Sequence, residues 1–348
     1  MIPVAVITGF LGSGKTTLLG RLLRDPAMSR TAVIINEFGA IGLDHELIET
    51  SDESFVQLSN GCLCCNVRSD LVLTLCDLAA RRAAGTVPPF ERVVIETTGL
   101  ADPAPILHAL MTDRTLCENY TLDGVIATVD AVAGLATLAC HEESLRQAAV
   151  ADRIVLTKTD VPEAQSVAIA ERLAELNPGA PVLKAVHGKI APSALFDCGL
   201  YNIAHKPPEV QAWLASGAIA AENEHARHRH RDDIVSFCIV RDEPVHAVTL
   251  ALFLAALAEN CGADLLRVKG LVRVVEQPEC PAVIHGVQHV YHAPVWLERW
   301  PSDDRRTRMV FIGRHIRESW VRSLLDLLDA EVAEETHERS RKAAPDSI

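Results

Sequence analysis

The stretch Pro3-Val4-Ala5-Val6-Ile7-Thr8-Gly9-Phe10-Leu11-Gly12-Ser13-Gly14-Lys15-Thr16-Thr17 decides the fold. Pro3 to Thr8 is a short apolar run, Gly9 to Thr16 fits G-x-x-x-x-G-K-[ST], and Lys15 to Arg24 has helical composition. Strand, glycine loop and helix therefore follow in the order that a phosphate-binding loop needs. Gly9, Gly12 and Gly14 allow backbone conformations that point N–H groups at phosphates, with Ser13 and Thr17 in the same loop. Lys15 is expected to reach the β and γ oxygens and Thr16 to ligate Mg²⁺ through its hydroxyl. A plain strand-to-helix turn accounts for the glycines but not for Lys15 and Thr16 at this spacing.

Outward from this loop, the apolar runs Thr31 to Ile35, Arg92 to Ile95, Gly124 to Val129 and Arg153 to Leu156 read as buried parallel strands with helical patterns between them. That alternation predicts an α/β domain over 1–201, a P-loop parallel sheet with helices on both faces. Residues 202–233 are poor in core formers and contain AENEHARHRHRDD, which reads as a linker. A smaller α+β domain is expected over 234–332, with a strand at Ile234 to Val240, a helix at His246 to Cys261, and a closing helix at Ser319 to Val332. Between them LLRVKGLVRV, AVIHGVQHVYHA and TRMVFIG read as β-type stretches. The charged end, 333–348, is expected to be disordered.

With 33 Lys+Arg against 46 Asp+Glu the net charge is 33 − 46 = −13, so nothing in the balance recruits nucleic-acid phosphates or an anionic membrane. The apolar stretch Val248 to Ala258 is far shorter than the roughly 20 residues needed to cross a bilayer. MIPVAVITG has no basic leader and runs straight into the loop, so a cytoplasmic location is expected. In that reducing compartment, 10 cysteines point to metal or redox chemistry rather than to a disulfide scaffold.

Val93-Val94-Ile95-Glu96-Thr97-Thr98-Gly99 sets a carboxylate at a strand end, where Glu96 can hold Mg²⁺ directly or through water. Gly99 can offer its N–H to a γ-phosphate. Thr157-Lys158-Thr159-Asp160 follows the run Ile154-Val155-Leu156. Asp160 is expected to accept the N1–H and N2–H₂ of guanine, with the stem of Lys158 along the base. GTPases usually carry Asn where Thr157 stands; Thr keeps only part of that bonding, which leaves GTP over ATP open.

Asn60-Gly61-Cys62-Leu63-Cys64-Cys65-Asn66 places three thiols within four residues. Three thiolates this close repel one another unless a cation neutralises them, and zinc suits sulfur ligands. Buried packing cysteines and a redox pair are the alternatives.

Together, GFLGSGKTTLL, Asn36-Glu37-Phe38-Gly39 with Gly42-Leu43-Asp44, GCLCC, and Glu96-Thr97-Thr98-Gly99 with Ala101-Asp102-Pro103 resemble the CobW-like metallochaperone GTPases, P-loop relatives of UreG and HypB. ADRIVLTKTD, LLRVKG, VIHGVQHVYH, Trp300-Pro301 and VFIGR extend the resemblance to about residue 330. It implies a GTPase that binds Zn²⁺, or in some branches cobalt or another divalent metal, and passes it to a client metalloprotein. Gly12, Gly14, Lys15, Thr16 and Thr17 match the phosphate loop, Glu96 the second acidic motif, and Cys62, Cys64 and Cys65 the C-x-C-C metal motif. Glu37 falls in the switch segment as a further metal-associated carboxylate. His225, His228 and His230 match a linker tract that is short and interrupted by arginine, and a solvated linker is the preferred reading.

The thiols lie in sequence between Asn36 to Asp44 and Glu96 to Gly99, segments expected to respond to the γ-phosphate, so metal and nucleotide binding are expected to be coupled. No Gln or Arg is assignable as the group positioning the attacking water. Two rivals stand beside this reading: a P-loop ATPase or kinase with structural cysteines, and a metal reservoir or insertion factor with incidental hydrolysis. Cys76, Cys117, Cys140, Cys198, Cys238, Cys261 and Cys280 read as packing residues, and His285, His289 and His292 as structural residues on strand-like segments. The client and the oligomeric state are open.

Overall fold

The computed structural model describes residues 1–35, 55–57, 67–196 and 234–343. The chain divides into two compact units, Met1–Ile203 and Ala204–Ile348.

The first unit is a seven-stranded sheet in the order β3-β2-β4-β1-β5-β6-β7, every pair parallel. Its strands are β1 (Ile2–Gly9), β2 (Thr31–Ile35), β3 (Phe55–Gln57), β4 (Arg92–Glu96), β5 (Tyr120–Asp130), β6 (Arg153–Thr157) and β7 (Val182–Lys184). Helices α1 (Lys15–Leu22), α2 (Val67–Ala83), α3 (Ala104–Thr112), α4 (Arg114–Asn119), α5 (Gly134–Cys140), α6 (Glu142–Ala149) and α7 (Ser166–Leu176) fall between them.

Parallel strands joined by helical crossovers are covered on both faces, and the burial shows it. Ala5, Ile7, Val33, Val94, Ile126 and Val155 form one core with Leu18, Leu19 and Leu22 of α1. The alternate residues Val4, Val6, Val93 and Ile95, which point the other way, are also fully buried. β3 and β7 escape sequence reading because three residues are too short to show a period.

The second unit is an antiparallel sheet in the order β11-β10-β9-β13-β8, with β12 paired to β10. Its strands are β8 (Ile234–Arg241), β9 (Leu265–Val274), β10 (Gln277–Val287), β11 (Val290–Tyr291), β12 (Val295–Trp296) and β13 (Thr307–Arg314). Phe253 and Leu257 of α8 (Ala247–Cys261) and Val321 and Leu325 of α9 (Glu318–Ala343) pack with Val268, Ile284 and Phe311 of the sheet. α9 runs to Ala343, into the 333–348 segment expected to be disordered. EVAEETHERSRKA contains neither Gly nor Pro and is rich in helix formers, so propensity carries the helix on where apolar content cannot.

VIHGVQHVYH is not one strand. Gln288 takes φ 54°, the chain reverses, and His289 sits in the turn between β10 and β11 while His292 follows β11. His285 is buried on β10. Cys140 is exposed and so is not a packing residue; Cys238 is buried, and burial pushes its thiol up to about 11. No helix among the described residues is long and apolar enough to cross a membrane.

Candidate nucleotide site at the carboxyl edge of the sheet

β1 lies between β4 and β5 in the sheet, although the chain runs from β1 to β2 and β3 before returning to β4. The order reverses at β1, and in open parallel sheets the crevice at the carboxyl end of such a strand is where ligands bind. Gly9, Glu96, Asp130 and Thr157, the last residues of β1, β4, β5 and β6, all stand at that edge.

At Gly9, with φ 143°, an added Cβ would lie 2.3 Å from Thr128 Oγ1 and 2.5 Å from the Thr128 carbonyl, so only glycine fits. Gly12 and Gly14 take φ 71° and 94°. Gly14 caps α1 and supplies no side chain, which leaves the amides of the first turn to a ligand. Lys15 is buried and donates from Nζ to the carbonyls of Gly9 at 2.8 Å and Phe10 at 3.1 Å, so its ammonium is held within the loop. Thr16 Oγ1 donates to Glu96 Oε1 at 2.7 Å, and Glu96 is itself buried. A hydroxyl and a buried carboxylate oxygen in contact beside a phosphate loop are the hard oxygen donors that Mg²⁺ takes. Thr17, the next residue on α1, faces away from Leu18 and Leu19 of the core and is exposed.

A set of hydroxyls fastens this loop: Ser13 and Thr157, which the motifs contain, and Thr8, Thr97 and Thr128, to which the sequence reading gave no role. Ser13 Oγ and Thr128 Oγ1 are 2.6 Å apart, Thr128 also reaches the Thr8 carbonyl at 3.3 Å, and Thr97 donates to Thr8 Oγ1 at 2.9 Å. Ser13 donates its amide to the Phe10 carbonyl at 3.1 Å, so its backbone and its side chain both shape the loop. Thr157 donates to the Ser13 carbonyl at 2.7 Å, with the Val129 carbonyl at 3.2 Å. The sequence signal was present: VAVIT, VIAT and IVLT each put Thr at the end of an apolar run.

Lys158 takes φ 54° and pairs with Asp130 Oδ2 at 2.6 Å. Burial works against the Asp130 charge, but the Lys158 bond and the amides of Val132 and Ala133 outweigh it and hold the carboxyl below the ordinary range. Asp160 follows at the same edge, 3.5 Å from His187 Nε2. His187 and Gly188 belong to a loop after β7 that lies against α1: a Cβ on Gly188 would be 2.9 Å from the Thr17 carbonyl. Gly99 packs on the phosphate loop itself, since a Cβ there would lie 2.7 Å from Leu11 N.

Glu37, Cys62, Cys64 and Cys65 lie outside the described residues, as do Cys198, His225, His228 and His230. Among the described residues no group of three or more His, Cys, Asp or Glu is placed to hold a metal. Ile35 and Gln57, which precede the two segments carrying Glu37 and the thiols, pair with each other, and Ile35 pairs with Glu96, which pairs with Ile7. Gln57, Ile35, Glu96 and Ile7 thus form one row across four strands.

A seven-stranded parallel sheet with this loop, this lysine and this threonine–glutamate pair defines a P-loop nucleotide-hydrolysing protein. Residues 3–184 match the CobW/HypB/UreG nucleotide-binding domain and residues 234–328 the cobalamin synthesis protein CobW C-terminal domain. The chain belongs to the CobW/HypB/UreG family. It is 35% identical to the zinc chaperone YjiA of Escherichia coli, over 92% of this chain and 97% of that one. It is 30% identical to the zinc chaperone CobW of Pseudomonas aeruginosa, over 93% and 90%. Among solved structures, the Zn(II)-bound YjiA GTPase from E. coli superposes with a TM-score of 0.68 at 30% identity, over 94% of this chain and 98% of that one.

Proposed function

We propose that this chain is a GTP-hydrolysing metallochaperone that binds Zn²⁺ through Cys62, Cys64 and Cys65, with Glu37 associated, and passes it to a client protein in step with its nucleotide state. Family membership and the zinc chaperones among its relatives support the metallochaperone GTPase. The assignment of the thiols and of transfer rests on the sequence motif and on one observation, the row Gln57–Ile35–Glu96–Ile7. Neighbouring strands lie about 4.8 Å apart, so Gln57, from which the chain leads to the thiols, is about 10 Å from Glu96. A change at Glu96 and the phosphate loop is thereby about 10 Å from Gln57, after which the sequence continues to the thiols.

In this reading the amides of the loop and Lys15 bind the β and γ phosphates, Gly99 donates to the γ-phosphate, and Asp160 accepts guanine N1–H and N2–H₂ with Lys158 along the base. Thr16 and Glu96 would hold Mg²⁺, which supplies charge neutralisation between the phosphates when bound. Zinc is the cargo. Residues 1–201 act as the GTPase domain, 202–233 as the linker and 234–332 as the family's C-terminal domain. If GTP tightens zinc binding, zinc tightens GTP binding by the same factor, and hydrolysis loosens the cage for the client.

Zinc titration of the wild type and of a Cys62/Cys64/Cys65→Ser variant, each with a GTP analogue, GDP or no nucleotide, tests the proposal. The expected result is tightest binding with the analogue and loss of binding in the variant. Equal zinc affinity in all three nucleotide conditions would overturn it.

A further inference from the structure

Helix α6 grips the segment that follows Glu96. Gln147, 1% exposed, donates from Nε2 to the carbonyls of Gly99 at 3.1 Å and Ala101 at 3.0 Å. Carbonyls only accept, so these two partners fix which end of the carboxamide is the nitrogen. One residue earlier, Arg146 donates from Nη1 to Asp102 Oδ2 at 2.9 Å, while Asp102 Oδ1 accepts the Ala104 amide at 2.9 Å at the start of α3. The same helix meets the phosphate loop: His141, at its N-terminus, stacks on Phe10 with ring centroids 4.4 Å apart. Gly99 stands between the two, a Cβ's contact away from Leu11 N at 2.7 Å.

We infer that Gln147 is a positioning residue for GTP hydrolysis, holding the Gly99–Asp102 segment against the phosphate loop so that its amides are in place for a γ-phosphate. In a trans peptide the C=O and N–H point opposite ways, so pinning the Gly99 and Ala101 carbonyls on α6 sets the directions of the Leu100 and Asp102 amides, and the Ala101 amide, held in the same segment, donates to the Thr98 carbonyl at 3.1 Å and so sets the direction of the Gly99 amide. Donors placed in advance need no reorganisation when charge arrives, whereas a loose loop has to be ordered first. The two hydrogen bonds also stabilise the fold, so the test reads nucleotide discrimination beside melting. Gln147 Oε1 is buried without a hydrogen-bond partner among the described residues, and an unpaired buried acceptor opposes folding. The inference rests on the reading of the chain as a GTPase and needs nothing from zinc.

The test compares the full-length wild type with Gln147→Met, which keeps the side-chain length and removes the donors, and with Arg146→Met, in zinc-free buffer with Mg²⁺. Affinities for a hydrolysis-resistant GTP analogue and for GDP are measured beside single-turnover hydrolysis, with thermal melting as the check on folding. GDP has no γ-phosphate, so its affinity is expected to stay within about twofold in both variants, while analogue affinity and hydrolysis rate fall about tenfold in Gln147→Met and about threefold in Arg146→Met. An equal fall for analogue and GDP, or no change in either, overturns the inference. Should Gln147→Met not fold, Arg146→Met decides on the same ratio, because Arg146 is a third exposed and its replacement leaves the core intact. An uncoupled zinc titration would sink the transfer reading and leave this comparison standing.

Discussion

Thr157 occupies the place where an amide side chain was expected to be needed, and its hydroxyl still reaches the phosphate loop, at 2.7 Å from the Ser13 carbonyl. The part of the bonding that Thr keeps is the brace between β6 and the loop. Thr157→Val preserves shape and removes the hydroxyl, leaving a buried carbonyl short of a donor. The expected cost is about 1 kcal/mol, or roughly fivefold in GTP affinity, measured by nucleotide titration with a melting control. The Asp130–Lys158 pair gives a pH prediction. The folded-state pKa of Asp130 is lowered, so the pair's contribution is present above the ordinary carboxylate range and is lost as pH falls through it. Asp130→Asn is expected to flatten the acid limb of the stability curve below about pH 4, as followed by denaturant midpoints across pH. Lys15, Thr16, Glu96 and Asp160 were legible as residues because their chemistry is tied to a spacing or to a strand end. Gln147 and His187 were not, because their partners lie far along the chain and no local pattern encodes them, while Thr128 carries a strand-end signal that does not say what it bonds.

At the scale of elements, the β-runs were readable where burial was continuous, and β9 was read at its full length. Gln288, with φ 54°, turns the β-type stretch VIHGVQHVYH into a hairpin, and one left-handed Gln in a stretch without Pro, Asn or Asp gives little compositional sign of the turn. α9 ran beyond its apolar stretch because helix propensity persists after amphipathic pattern ends. The second unit's core depends on Phe253 of α8, fully buried and edge-on to Phe311 of β13, with ring centroids 6.4 Å apart. Phe253→Ala is expected to cost about 3–5 kcal/mol, seen as a lowered midpoint in chemical denaturation. A midpoint shifted by less than about 1 kcal/mol would mean that the site collapses around the cavity or that the ring bears little of the packing.

At the scale of the whole molecule, the order of motifs and the order of strands do different work. In sequence the thiols and Glu96 are separated by a helix, α2, and a strand; in the sheet β2 lies between β3 and β4, so the chain that leads to the thiols starts from the same row as Glu96. That row is the physical ground for the proposed coupling of zinc and GTP, and it is why the titration is read as a cycle of affinities rather than as one constant. The sequence by itself determined the phosphate-loop motif, the carboxylate at the end of β4, the alternation that makes a parallel sheet, and the family to which the chain belongs. All of these are written in short spacings and in runs of apolar residues. Only the tertiary structure decided which hydroxyls brace the loop, which carboxamide holds Gly99, and that Gln57 and Glu96 share a register. Hydrogen-bond partners and strand neighbours are fixed by the packing of segments many residues apart, and local periodicity carries no record of that packing.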